Sequence, residues 1–224
     1  DLFVENDHVY MKTVKGPLRV DCIYRRLDDN FLDPKAFFKG SLIGVPGLFK
    51  SWRKGNVGIL NAIGTGIADD KVVYSYVNKM IVYYLGEQPI LNQVETYLCH
   101  DEIQKNYVID NISKLVVKPA NASGGYGIMI GPKAPKEERE EVIKKIKKNP
   151  REYIAQPLET LSTAPTITKD DIEPRHLDLR PFILSGKSTY VTTGGLTRVA
   201  LRKGSTIVNS SQGGGSKDTL IVDM

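Results

Sequence analysis

Histidine, cysteine and tryptophan are scarce in this chain of 224 residues, with three, two and one respectively. His8, His100 and His176 stand apart without metal-ligand spacing, and no serine or cysteine sits in a nucleophile motif, which argues against zinc hydrolysis and covalent acyl-enzyme chemistry. Cys22 and Cys99 are too few for a disulfide scaffold; both fall in expected strands as buried free thiols, so a reducing cytoplasm is the default compartment. No apolar run reaches the roughly 18–20 residues of a membrane helix, and no membrane partner is expected. Internal repeats and low-complexity runs are also lacking. The chain begins with Asp1 rather than methionine and ends at Met224 just after a strand-like run, so a longer protein with flanking domains is expected.

Charge is nearly balanced. The net +5 owes much to Lys144, Lys145, Lys147 and Lys148, which alternate with Glu137, Glu138, Glu140 and Glu141. That pattern predicts i,i+4 pairs such as Glu140 with Lys144 and Glu141 with Lys145, a solvated helix face rather than a nucleic-acid surface. Hydrophobic residues at 41% and charged residues at 25% are ordinary for a folded domain, and the length allows one large domain or two small ones.

Periodicity predicts an α/β chain. Strands are expected near 9–12, 20–24, 57–60, 94–98, 115–118, 128–130, 153–156, 177–184, 189–193, 196–201 and 205–209, and helices near 46–54, 70–84, 101–112 and 136–149. The stretch 162–175, rich in Thr, Pro and Asp, reads as a loop insertion.

What is present most distinctively is Leu115-Val116-Val117-Lys118-Pro119, followed by Ser123-Gly124-Gly125-Tyr126-Gly127-Ile128-Met129-Ile130. It reads as strand, glycine loop, strand. Glycines allow close backbone approach to an anion, free N–H groups form an anion-binding concavity, and Lys118 supplies a point charge at the strand end. No Gly-Lys-Ser/Thr follows, so this is not a Walker loop, and taken alone it could equally be a hairpin turn. Gly64-Thr65-Gly66 lacks the third glycine of a dinucleotide fingerprint, where Asp69 stands instead.

Further blocks follow in order: Tyr153-Ile154-Ala155-Gln156-Pro157, His176-Leu177-Asp178-Leu179-Arg180, Gly194-Gly195-Leu196-Thr197-Arg198 and Asn209-Ser210-Ser211-Gln212-Gly213-Gly214-Gly215. Val20 to Asp29 and Gly55 to Gly66, with Ala68-Asp69-Asp70-Lys71, precede the lysine strand. Together these resemble the circularly permuted ATP-grasp proteins, relatives of glutathionylspermidine synthetase and eukaryotic-type glutathione synthetase. The resemblance runs from about Val9 to Asp218.

It implies a nucleotide held between two mixed α/β lobes. Residues 1–114 would form the permuted lobe with the metal segments, 115–160 the lysine strand, glycine loop and adenine hinge, and 161–224 the return to the catalytic sheet. By resemblance, ATP is bound by Lys71, Lys118, Ser123, Gly124, Gly125, Gly127 and Gln156, and Mg²⁺ by Asp28 and Asn61. Arg198, Arg180 and Arg26 would be catalytic, and Asp178, Asn209, Gly213 and Gly214 would meet substrate. The family's E-x-N element carries Ile59 where its glutamate is expected, which bears on the number of metal ions.

The implied activity is an ATP- and magnesium-dependent carboxylate–amine ligase that works through an acylphosphate and releases ADP. Its partners would be a small carboxylate, an amine and flanking domains of the same protein. A non-catalytic nucleotide-binding module of a larger assembly and a phosphotransferase are the alternatives.

Overall fold

The computed structural model describes all residues except 122–125, 170, 206–207, 209–212 and 222–224. Contacts divide the chain into two units, Asp1–Leu85 and Gly86–Met224.

In the first unit, β1 (Leu2–Glu5), β2 (His8–Thr13) and β3 (Gly16–Arg19) form an antiparallel meander. Asn6 and Asp7 both take positive φ in the two-residue turn between β1 and β2, the conformation that matches the strands' twist. Asp7 then takes on Lys50 at 2.7 Å and Lys54 as ion partners, and these hydrogen bonds pull its carboxyl down to about 2. A separate parallel pair joins β4 (Cys22–Tyr24) to β5 (Gly58–Leu60). The short helices α1 (Asp29–Leu32) and α2 (Leu48–Arg53) lie between them in sequence. Val9, Leu32, Leu48, Val57 and Ile59 make this unit's core. Buried Asp33 organises the intervening loop by accepting from the backbone N–H groups of Lys35, Gly47 and Phe49.

The helix expected over 70–84 is broken into α3 (Lys71–Tyr74), α4 (Val77–Met80) and a π turn at Ile81–Leu85. The run is rich in β-branched and aromatic residues of modest helix propensity, and the Ser75 hydroxyl bonds back to the Val72 carbonyl at 2.7 Å, competing with the regular ladder.

The second unit contains two sheets. One has the order β6 (Tyr97–Leu98), β9 (Tyr153–Pro157), β7 (Leu115–Pro119), β8 (Met129–Ile130), all antiparallel. Leu115, Val116 and Val117 are all buried, as are Ile154, Ala155 and Gln156, the signature of central strands covered on both faces. One face packs against α5 (Glu102–Asp110) and α6 (Lys136–Lys148) through Val108, Ile146, Val117, Met129 and Ala155. Helix α6 carries the expected Glu141–Lys145 pair at 2.7 Å, and Asp101 caps α5 by accepting from the Gln104 N–H.

The other sheet runs β10 (Thr163–Ile167), β11 (Ile172–Ser185), β12 (Thr189–Ala200), β13 (Gly214–Lys217). The expected loop at 162–175 is therefore a hairpin. Its prolines, Pro165 and Pro174, face each other where only β10 and β11 pair, since β12 joins the register only at Leu177. Proline is admitted at a sheet edge because no ladder N–H is needed there, which is why the composition reads as loop. The strands expected at 189–193 and 196–201 fuse into β12, with Gly195 opposite Pro181 at the register shift. The strand expected at 94–98 shortens to β6, and the one at 205–209 lies largely outside the described residues. Cys99 is buried, its thiol pushed up to about 11 by burial, whereas Cys22 is exposed on the short β4 rather than buried as expected.

Candidate nucleotide and metal site

Strand register brings Lys118 and Gln156 together. Val116 pairs with Gln156 and Lys118 with Ile154, and residues two apart share a face, so Lys118 and Gln156 are diagonal neighbours on the face away from α5 and α6. Lys118 Nζ donates to Gln156 Oε1 at 2.6 Å, and Gln156 Nε2 donates to Thr96 Oγ1 at 2.8 Å. Both polar ends of the Gln156 amide thus have partners within the protein. Gly127 takes φ of 71° after the loop that follows β7, and a Cβ there would lie 3.0 Å from the Pro119 ring, so any other residue would be strained. Ser123, Gly124 and Gly125 lie outside the described residues.

Asp178 and Arg198 are direct cross-strand partners on β11 and β12. Arg198 Nε donates to Asp178 Oδ1 at 2.9 Å and Nη2 to Oδ2, a two-pronged pair. The Arg198 side chain is 15% exposed, in keeping with a half-buried strand. Its hydrogen bonds hold the Asp178 carboxyl below the usual range and raise the guanidinium in turn. Arg180 lies two residues along the same face, more exposed, 3.9 Å from Asp178. Gly213, at φ of 82°, leads into β13, where Gly214 pairs with Ala200; Asn209 is outside the described residues.

In the first unit, Asp28 and Asn61 follow the carboxyl ends of the parallel strands β4 and β5, where ligands collect in open parallel sheets. Asp28 is exposed and caps α1, accepting from the Asn30 N–H at 2.9 Å. Asn61, also exposed, takes φ of 55° and donates from its amide to the Arg25 carbonyl at 3.1 Å. Carboxylate and amide oxygens are the hard donors magnesium takes, with phosphate and water completing its shell, so each residue carries a donor of the type the ion accepts. Among the described residues no three His, Cys, Asp or Glu side chains gather as a metal cluster. Ile59 is buried in the core, and a glutamate with this orientation would bury its charge.

Arg26 is exposed. Its neighbour Arg25, which the residue pattern did not single out, is the buried one. Its guanidinium donates to the carbonyls of Asn61 at 2.5 Å, Leu27 at 2.7 Å and Ala62 at 2.7 Å. It also lies 2.6 Å from Asp29 Oδ1, a buried oxygen that makes no aligned hydrogen bond, while Asp29 Oδ2 accepts from the Gly64 N–H at 3.0 Å. Arg25 and Asp29 thereby tie the segments that follow β4 and β5 to each other through their backbones. Lys71 opens α3 behind Asp70, which caps the helix; burial lowers its ammonium, opposed by Asp70 and Asp69.

The model of circularly permuted ATP-grasp type 2 matches residues 1–200. The chain belongs to that family. It is 56% identical to an uncharacterized protein of Synechocystis sp. over 99% of this chain and 46% of that protein. It is 52% identical to an uncharacterized protein of Mycobacterium tuberculosis over 99% of this chain and 40% of that one. A Frankia casuarinae protein named "Putative glutamate--cysteine ligase 2-2" is 48% identical over 99% of this chain and 26% of its own length. The chain thus spans less than half the length of these relatives. Among the described residues no helix is long and apolar enough to cross a membrane.

Proposed function

We propose that this chain is the nucleotide-binding and catalytic core of an ATP-dependent carboxylate–amine ligase. The carrying observation is the Lys118–Gln156 contact across β7 and β9 in a member of an ATP-grasp family. A carboxylate oxygen attacks the γ-phosphorus, the bond to the β-phosphate oxygen breaks, and ADP leaves. The amine nitrogen then attacks the acyl carbon of the acylphosphate, inorganic phosphate leaves, and the amine gives up a proton as the amide forms.

The work asked of the protein is positioning and charge neutralisation, without a covalent enzyme intermediate. Lys118 and Lys71 offset phosphate charge. Arg198 offers a planar fork of donors to the transferring phosphoryl group and the tetrahedral oxyanion. Asp178 supports this role by holding that fork in place with its carboxylate until a stronger anion competes. Mg²⁺, held by Asp28 and Asn61, would neutralise further phosphate charge.

The test is ADP release from ATP and Mg²⁺ on adding pooled amino acids, polyamines and small peptides, with mass spectrometry for a product formed by loss of water. ADP formed with one substrate alone, leaving a stable phosphate ester or anhydride, would identify a phosphotransferase. The buried Ile59 favours a second reading, a nucleotide-binding module without turnover, whose outcome is ATP binding with no ADP under any pool.

A further inference from the structure

We propose that Thr96 is a positioning residue for Lys118, acting through Gln156. This rests on the ligase reading only for the identity of what Lys118 holds. An ammonium group has three donors and no acceptor, so the atom of Gln156 facing Lys118 must be the amide oxygen. The amide nitrogen is then directed at Thr96 Oγ1, and the Thr96 hydroxyl donates onward to the Val94 carbonyl at 3.0 Å. Each contact in this relay sets a donor against an acceptor, and reversing the amide would set its NH₂ group against the ammonium.

The geometry follows from register. Tyr97 on β6 pairs with Ala155 on β9, so Thr96, one residue earlier, continues the ladder towards Gln156 and shares its face. Gln156 is 8% exposed, so its nitrogen has little water to turn to if the hydroxyl is removed. The amide then seeks another acceptor, and the oxygen that steadies the Lys118 ammonium is displaced. Nothing in the motif pattern marks Thr96, because an isolated threonine ahead of a two-residue strand carries no signal by itself.

The experiment measures ATP affinity by calorimetry and urea midpoints for Thr96→Val, Thr96→Ser and Lys118→Ala. Thr96→Val, which keeps the shape and loses the hydroxyl, should weaken ATP binding about three- to tenfold, and Thr96→Ser should restore it. Thr96→Ala replaces the valine variant should that one not fold. Lys118→Ala should weaken ATP binding about tenfold or more. If Lys118→Ala weakens binding while Thr96→Val matches wild type, or if Thr96→Ser binds as weakly as Thr96→Val, the positioning role is overturned and the nucleotide site stands. If Lys118→Ala binds ATP like wild type, the nucleotide reading itself falls. A purely structural threonine would lower the urea midpoint and leave the affinity of the folded protein unchanged, which also overturns the proposal.

Discussion

Arg25 in the first unit and Arg198 in the second are both largely buried and both face a carboxylate, yet their surroundings differ. Arg25 is held by the backbone: three carbonyls accept from its guanidinium, and Asp29 lies beside it. Arg198 instead directs its fork at Asp178, its hydrogen-bond partner among the described residues. Carbonyls belonging to the chain cannot leave when an anion arrives, whereas one carboxylate can be outcompeted by a phosphate. The kind of partner, backbone carbonyl or side-chain carboxylate, thus separates the two arginines where burial by itself does not. Arg175 on β11 belongs with Arg25: buried, bonded to the Leu201 and Pro174 carbonyls and to Glu173, whose carboxyl is held low by Lys203 and Arg175.

The comparison breaks most decisively at Arg25. Arg25→Ala would leave the buried Oδ1 of half-buried Asp29 beside no cation and free three carbonyls, a loss of about 3 kcal/mol, the low end for broken buried pairs. Urea denaturation should show that fall; a midpoint like wild type would mean that the arginine is not structural. Arg198→Lys should do the reverse, leaving the urea midpoint nearly unmoved while turnover drops about a hundredfold to a thousandfold, because lysine keeps the charge and loses the fork. The ATP dissociation constant should shift only a few-fold. Equal losses of stability in both variants would erase the distinction between the two arginines.

The smallest effect concerns Asp7, half-buried and paired with Lys50 and Lys54, its carboxyl lowered from 3.8 to about 2. A folded-state value below the unfolded one adds stability above pH 3.8, lost as the pH falls towards 2. Asp7→Asn should therefore flatten the acid limb of stability between pH 4 and 2, with a small destabilisation that is fully present at pH 7 and disappears by about pH 2. Because both lysines are exposed, 0.5 M salt should mimic much of that flattening in the unmutated protein.

Much of this protein was legible along the chain. Lys118, the glycines after it, and the ordered blocks of Asp178, Arg180 and Arg198 pointed to the family, because clamping a phosphate demands those residue types in a local arrangement. Helices α2, α5 and α6 followed from caps and periodicity, which act within a few residues. What escaped depended on neighbours distant in sequence. Whether Arg25 or Arg26 is buried turns on which meets the carbonyls after β5, some 36 residues on. Whether 162–175 is loop or hairpin turns on Pro165 and Pro174 falling where one side of the ladder is bare. The sense of the Gln156 amide is likewise decided across three strands, by Lys118 on one side and Thr96 on the other. Local propensity and motif chemistry are written in single residues, while the saturation of a buried polar group is a property of everything that surrounds it, and only the folded chain brings those partners together.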